Sequence, residues 1–204
     1  MTTKYGFSDI REGLFEDLKG AYPTKWEDLE TAEVPGEDFF GLPKPHPNAV
    51  LNLFLEQRVK FALPFAAYRA AVGGLSSLIS NEPGTTLPRL ILAFTIYGMG
   101  GMRQAMAYTG QTIAYTSDLG TCPKRTCALN VGVNATERRT EALKKISDAL
   151  VKNNEGDMLI PLSLEDLCAD CARRLKKIHR DYRKQLVWAR LPSLLGWESW
   201  EVVR

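Results

Sequence analysis

The chain lacks an uncharged hydrophobic run long enough to cross a membrane. Its most apolar uncharged run covers 13 residues, 90–102, between Arg89 and Arg103, whereas a spanning helix needs about 20. The N-terminus also lacks the apolar core of a secretory signal. We therefore expect an intracellular protein, in the cytoplasm and/or nucleus, without a membrane partner.

Charge of one sign is not in excess either. The 204 residues carry 26 Lys and Arg against 24 Asp and Glu, for a net charge of +2. This balance excludes attraction of the whole protein to nucleic acid by net charge. Acidic residues are concentrated in 1–40, which contains ten acids and four bases. This pattern is typical of a solvated surface.

Catalytic signatures are missing. The two histidines, His46 and His179, accompany no recognisable serine or cysteine nucleophile motif. The glycines of 98–103 lack the third glycine of a dinucleotide fingerprint and the Lys-Ser/Thr of a P-loop. We expect a protein that is not an enzyme.

Helical spacing of apolar residues recurs along the chain, without sustained two-residue alternation and without an internal repeat. The fold class predicted is all-α, an irregular multi-helix bundle with a long C-terminal amphipathic helix. The stripe that defines this last helix consists of Leu164, Leu167, Cys168, Cys171, Leu175, Ile178, Tyr182 and Leu186.

Pro and Gly divide the chain into segments of a single helical domain, 1–204. We predict an N-terminal helical segment over 1–30, a Pro/Gly-rich linker over 31–47 and the main bundle over 48–204. Asn48 is expected to cap a helix through about Phe61, and Pro64 suits the first turn of the next helix.

Several motifs, in a shared order, resemble the C-terminal region of fungal, chiefly basidiomycete, BTB/POZ-domain proteins. The C-terminal motifs are Cys168-x-x-Cys171, a basic helix and the ending L-P-x-x-x-G-W-x-x-W over 191–200. The earlier matching stretches are 4–14, Tyr22-Pro23-Thr24-x-Trp26, 47–53, Leu63-Pro64-Phe65-Ala66-Ala67-Tyr68 and Cys122-x-x-x-x-Cys127.

This resemblance implies a protein-interaction role. In the family the BTB core precedes the helical region, dimerises and in many members docks cullin-type ubiquitin ligases. That core would lie before Lys4, so we do not expect dimerisation through it or a ligase-adaptor role.

Four cysteines form two closely spaced pairs, Cys122 with Cys127 and Cys168 with Cys171. Two such pairs are typical of a structural zinc site, because zinc binds four thiolates tetrahedrally. An alternative is that Cys168 and Cys171 are small core residues on the apolar stripe. A disulfide is a weaker interpretation, and a redox Cys-x-x-Cys weaker still, because no βαβ pattern accompanies it.

Seven basic residues lie within the predicted last helix, 164–188: Arg173, Arg174, Lys176, Lys177, Arg180, Arg183 and Lys184. Such a face can follow phosphates, which makes a nucleic-acid-associated module the alternative function. It equally suits a solvated surface, and aromatics do not interleave with it. We therefore do not expect nucleic acid as the main partner.

The leading interpretation is a non-enzymatic protein-interaction module stapled by a structural zinc ion. Its protein partners are not named by the sequence. Trp197 and Trp200 are the candidate partner-binding residues, because large aromatic side chains dominate interfaces. The same tryptophans could instead anchor the C-terminus onto the bundle.

Overall fold

The structure, a computed structural model, confirms the all-α prediction. It describes residues 13, 18, 20–31, 38–39, 42–43, 46–80, 82–115, 122, 124, 127, 129, 140–141, 144, 148, 158 and 167–202. Six α-helices lie in this part of the chain: α1 (Trp26–Thr31), α2 (Pro47–Glu56), α3 (Leu63–Val72), α4 (Leu75–Leu78), α5 (Arg89–Tyr115) and α6 (Ala169–Tyr182). The N-terminal helical segment predicted over 1–30 lies partly outside the described residues.

Two compact units divide the chain. The first comprises residues 1–98 together with 191–204, and the second comprises 99–190. Units of this kind are defined by contacts and not by independent folding. The single domain predicted over 1–204, with segments 1–30, 31–47 and 48–204, therefore stays a prediction.

The predicted linker contains one short β pairing. Strands β1 (Asp38–Phe39) and β2 (Leu42–Pro43) are antiparallel, with Asp38 opposite Pro43 and Phe39 opposite Leu42. Two residues in each strand are too few to alter the fold class.

Helix α2 begins two residues earlier than predicted and has a different cap. Its cap is His46, whose Nδ1 accepts a hydrogen bond from the Asn48 backbone N–H at 3.2 Å. The prediction that Asn48 is the cap is wrong, because its side chain turns into the protein. There its Nδ2 donates to the carbonyls of Ser77, Leu78 and Thr85.

Helix α2 also ends earlier than the predicted Phe61. Arg58 has φ of +55°, which stops the helix. The Val59 N–H then donates to the Phe54 carbonyl at 2.9 Å, and the Arg58 N–H to the Leu55 carbonyl at 3.3 Å. This pair of bonds is the Schellman motif, in which the left-handed residue is usually glycine. A 3-10 helix, Lys60–Ala62, follows.

Helix α3 forms the centre of the first unit. It starts at Leu63 with Pro64 in its first turn, as predicted. Eight of its ten residues are buried: Leu63, Pro64, Phe65, Ala66, Ala67, Tyr68, Ala70 and Ala71. Gly73 and Gly74 end it, and Gly74 has φ of +82°.

Aromatic side chains join the segment before α1 to this core. The Tyr22 ring packs edge-on against Phe54 at 4.8 Å and against Phe65 at 6.2 Å between centroids. Burial raises the pKa of Tyr22 above its usual value. Trp26 is 2% exposed, which confirms the prediction that it packs inward.

Helix α5 is continuous over 27 residues, and Gly98 does not interrupt it. In the first unit, its Thr95 hydroxyl donates to the Leu194 carbonyl at 3.3 Å. Gly98 faces the Leu194 side chain, which a Cβ at this position would approach to 2.8 Å. Glycine therefore permits close packing here, the role predicted from its spacing with other small residues.

The C-terminal helix changes type along its length. Helix α6 is followed by a π-helical turn, Arg183–Val187, and a 3-10 helix, Trp188–Leu195. Gly196, with φ of +75°, ends this run. The N–H groups of Gly196 and Trp197 donate to the carbonyls of Ser193 and Pro192, which is a second Schellman ending. Within the described ranges, every helix is too short or too polar to span a lipid bilayer.

Candidate metal centre

The first cysteine pair lies on irregular backbone of the second unit. The Cys122 N–H donates to the Leu129 carbonyl at 3.2 Å, and the Cys127 N–H donates to the Lys124 carbonyl at 3.0 Å. The backbone N–H of Lys124 also donates to the Cys122 thiol. These bonds fold the chain back on itself, so both thiols face the same side.

The second pair lies at the start of α6. Cys168 is extended, with φ of −65° and ψ of 157°, and it precedes the first helical residue, Ala169. Cys171 is in the first turn, and its backbone N–H donates to the Cys168 thiol. Helix N-termini leave such N–H groups without helical partners. The turn therefore offers hydrogen bonds to a thiolate.

This arrangement corrects the predicted start of the last helix. Leu167 and Cys168 are not helical, so within the described residues the helical part of the stripe begins at Cys171. Cys168 precedes the helix and approaches the first pair.

The four thiols converge. Their sulfur atoms all lie within 4.8 Å of one another, and the Cys122 and Cys168 sulfurs are 3.6 Å apart. A tetrahedral zinc with Zn–S bonds of about 2.3 Å separates its sulfurs by about 3.8 Å. The spacing therefore fits a metal between them.

None of the four cysteines forms a disulfide. The 3.6 Å between the Cys122 and Cys168 sulfurs exceeds the roughly 2.05 Å of a disulfide bond. Cys122, Cys127 and Cys171 are buried, whereas Cys168 is half-buried. Cys168 is thus the most exposed of the four residues.

The protonation of the thiols differs within the cluster. The N–H of Cys171 and the neighbouring thiols lower the pKa of Cys168 to about 6. Burial raises the pKa of Cys171. At Cys122 the Lys124 N–H favours the thiolate, but burial and the thiols of Cys168 and Cys127 outweigh it and raise the pKa. A bound cation would reverse this, because metal coordination deprotonates thiols.

An ion pair connects the two cysteine pairs at the surface. Lys124 Nζ lies 2.7 Å from Asp170 Oδ2, and Arg173 lies 3.6 Å from Asp170 Oδ1. The charge of Asp170 raises the pKa of Lys124, and Lys124 holds the pKa of Asp170 below its usual value. Asp170 belongs to no recognisable motif of its own, and its one signal in the sequence is its place between two cysteines of a Cys-x-x-Cys.

One residue of α6 and one residue of the π-helical turn after it lie in the interior and not on a basic surface. His179 is 1% exposed and Arg183 is 6% exposed, so both are buried in the second unit. The prediction that Arg183 belongs to the basic face is wrong. Burial and the Arg183 charge lower the pKa of His179 to about 4. The other basic residues predicted for that face are exposed: Arg173, Arg174, Lys176, Lys177, Arg180 and Lys184.

The tryptophans of the C-terminal segment are partly or fully covered by the rest of the protein. Trp197 and Trp200 are half-buried, and Trp188 is buried at 5% exposed. Their role in partner binding stays a prediction.

Comparison of the chain with known proteins gave no match. No family model matches the chain, and no curated protein or solved structure matches it.

Proposed function

We propose that this chain is a non-enzymatic protein-interaction module, similar to the helical region that follows the BTB core in fungal BTB/POZ proteins. We further propose that a structural zinc ion, held by Cys122, Cys127, Cys168 and Cys171, stabilises its second unit. The convergence of these four thiols within 4.8 Å carries the proposal.

Zinc suits this donor set. Thiolate ligands select zinc, Cu(I) or iron–sulfur clusters, and zinc takes four of them at tetrahedral positions. Backbone N–H groups already donate to the sulfurs of Cys122 and Cys168. Hydrogen bonds of this kind orient metal ligands and stabilise their negative charge.

The ligand count supports a structural and not a catalytic role. A catalytic zinc keeps one position open for water or substrate, with three protein ligands. Four cysteines fill all four positions, and three of them are buried. The ion would then hold the 122–127 segment against the start of α6.

An exposed apolar face of α5 supports the interaction role. In the first unit, Leu90 is 66% exposed and Tyr97 88%, and seven residues of helix place them on one side, two turns apart. The helix carries no charged residue between Arg89 and Arg103. Exposed apolar surface on a folded protein can mark a partner site.

Metal analysis tests the zinc part. Protein purified without chelator should contain one zinc per chain, and cobalt exchanged into the site should give the absorption bands of tetrahedral cobalt–thiolate. The Cys127→Ser and Cys171→Ser variants should lose zinc. Lys124→Met, which changes the neighbouring ion pair but no ligand, should retain it. A wild-type zinc content well below half an equivalent would refute the site.

Two pairs of surface variants test the interaction part. Leu90→Ser with Tyr97→Ser removes the apolar face of α5, whereas Leu75→Ser with Ile79→Ser removes other exposed apolar side chains of the first unit, 56% and 52% exposed. Only the α5 double variant should fail to capture the proteins that the wild type captures from the native cells, and its melting temperature should be unchanged. Equal retention by both pairs would contradict a partner site on α5.

The tryptophans are tested in the same capture experiment. Trp197→Ala and Trp200→Ala should release a partner without lowering the melting temperature if they bind it. A lowered melting temperature would assign them to the core instead.

A further inference from the structure

The four cysteines differ in their access to solvent. Cys122, Cys127 and Cys171 are buried, and Cys168 is half-buried at the start of α6. A small electrophile in solution therefore meets the Cys168 sulfur first. Oxidation of cysteine follows thiolate character and exposure.

A second sulfur stands next to the exposed one. The Cys122 sulfur lies 3.6 Å from the Cys168 sulfur, and the two residues come from different cysteine pairs. A disulfide needs the sulfurs to approach to about 2.05 Å. A movement of about 1.5 Å is small beside the reach of a side-chain rotation, since Cys168 is extended and lies outside the helix.

A cation links the two segments that carry this pair. Lys124 follows Cys122 by two residues in the sequence, and its Nζ lies 2.7 Å from Oδ2 of Asp170, which follows Cys168 by two residues. A positive charge at this position favours the attacking thiolate and the hydroxide that leaves. Solvent-accessible thiols next to a cation and a second cysteine are the usual redox-sensitive sites.

We infer that Cys168 is a modification site for hydrogen peroxide, that Cys122 is its resolving partner, and that their disulfide releases the metal. The inference rests on the proposed zinc site for its last step only. The Cys168 thiolate attacks peroxide, forming an S–O bond as the O–O bond breaks and hydroxide leaves. The Cys122 thiol then attacks that sulfur, forming the S–S bond as its proton and the departing hydroxide leave as water.

The two steps balance. One thiolate and one thiol lose two electrons, one peroxide gains them, and the products are one disulfide, one hydroxide and one water. The disulfide removes two of the four zinc ligands, and Cys127 and Cys171 take up protons when the ion departs. A dithiol reductant reverses the disulfide and restores the ligand set.

The order of reactivity is measured first on the wild-type protein, so that no variant has to fold. Brief labelling with isotopic iodoacetamide, quantified by mass spectrometry, should modify Cys168 at least about tenfold faster than the other three, as its exposure implies. Equal labelling of the four cysteines, or faster labelling of Cys127, would overturn the inference.

Peroxide then tests the disulfide and the metal separately. One equivalent of hydrogen peroxide should produce mainly a Cys122–Cys168 disulfide in the peptide map, with release of zinc to a colorimetric chelator in step with it. Lys124→Met should slow this reaction several-fold, and Lys124→Arg should restore its rate. A map dominated by any other pair, or zinc release without the Cys122–Cys168 bond, contradicts the inference.

The same experiment separates the two proposals. Protein that contains no zinc but forms the Cys122–Cys168 disulfide would refute the zinc centre and support the modification site. Protein that contains zinc and keeps Cys168 unmodified at one equivalent of peroxide would support the centre and refute the modification site.

Discussion

The side-chain amide nitrogen of Asn48 lies 3.1 Å from the Thr85 carbonyl oxygen, across 37 residues of chain. The same nitrogen donates to the carbonyls of Ser77 and Leu78. Asn48 is fully buried. One amide thus fixes α2, the end of α4 and the 82–88 loop of the first unit.

Replacing Asn48 should destabilise the first unit strongly. Asn48→Ala leaves buried carbonyls without a donor, and we expect a loss of about 3 kcal/mol in the free energy of unfolding. Asn52→Ala is the matched control, because its Nδ2 donates to the carbonyls of Gly84 and Thr86 at exposed positions. Urea unfolding should show a loss at Asn52 of about 1 kcal/mol or less. Similar losses at the two positions would disprove the role of burial.

Gly196 should tolerate a side chain less well than another left-handed glycine. Both Gly196 and Gly84 have positive φ, +75° and +77°, but only a Cβ at Gly196 meets the Phe94 ring, at 2.9 Å. Gly84→Ala should cost about 1 kcal/mol for its backbone conformation alone. Gly196→Ala should cost about 1 kcal/mol more, as overpacking does. Thermal unfolding of the two variants gives the difference, and a difference of zero would mean that the ring moves freely aside.

Replacing Arg58 by glycine should stabilise the protein. Arg58 occupies, with φ of +55°, the left-handed position of a Schellman motif, where glycine is favoured. Arg58→Gly should therefore raise the free energy of unfolding by about 0.5–1 kcal/mol. The neighbouring Gln57 has φ of −82°, so Gln57→Gly should lower it. A destabilised Arg58→Gly would show that the arginine side chain contributes more than its backbone strain.

Acid should weaken the second unit through His179. Its pKa falls from 6.5 to about 4 on folding, because burial and Arg183 disfavour the charged ring. The unfolded chain then binds more protons between these values. The contribution of neutral His179 to the free energy of unfolding is complete above pH 6.5. As the pH falls towards about 4, about 3 kcal/mol of it is lost. Below that range the loss is constant.

The difference between wild type and His179→Met isolates this effect, since all other groups, the cysteines included, titrate in both. Stability measured at several pH values should show the variant losing less than wild type between pH 6.5 and 4. Parallel curves would contradict the low pKa.

Removing the metal should loosen one region selectively. A strong zinc chelator should accelerate hydrogen exchange at the first turn of α6 and around Cys122 and Cys127, because a structural zinc contributes folding energy. Exchange in α3 should change less, since that helix lies in the other unit. Uniform acceleration would mean that the ion supports the whole chain, and unchanged exchange would count against the site.

The ends of a helix could be predicted from the sequence where the residues at those ends determine them. Pro64 and the pair Gly73–Gly74 set the ends of α3 by their fixed or permissive backbone angles. The approach of Cys122 to Cys168 could be proposed from the pairing of cysteines alone, since zinc needs four ligands.

Positions decided by distant partners were not readable. Asn48 is a good capping residue by type, but three carbonyls up to 37 residues away compete for its amide. Arg58 gives no signal for a left-handed residue. Arg183 and His179 have charged or polar side chains at spacing that fits a solvated face, and only the packing around them shows their burial.

Helix α3 has a consequence for the evolution of this protein. With eight of ten residues buried and four of them alanine, almost any substitution there either leaves a void or forces neighbours apart, at about 1–3 kcal/mol each. Exposed stretches such as the basic face of α6 can drift freely. Among diverged descendants of this gene, Leu63–Val72 should change most slowly and should be the segment by which a distant relative is recognised.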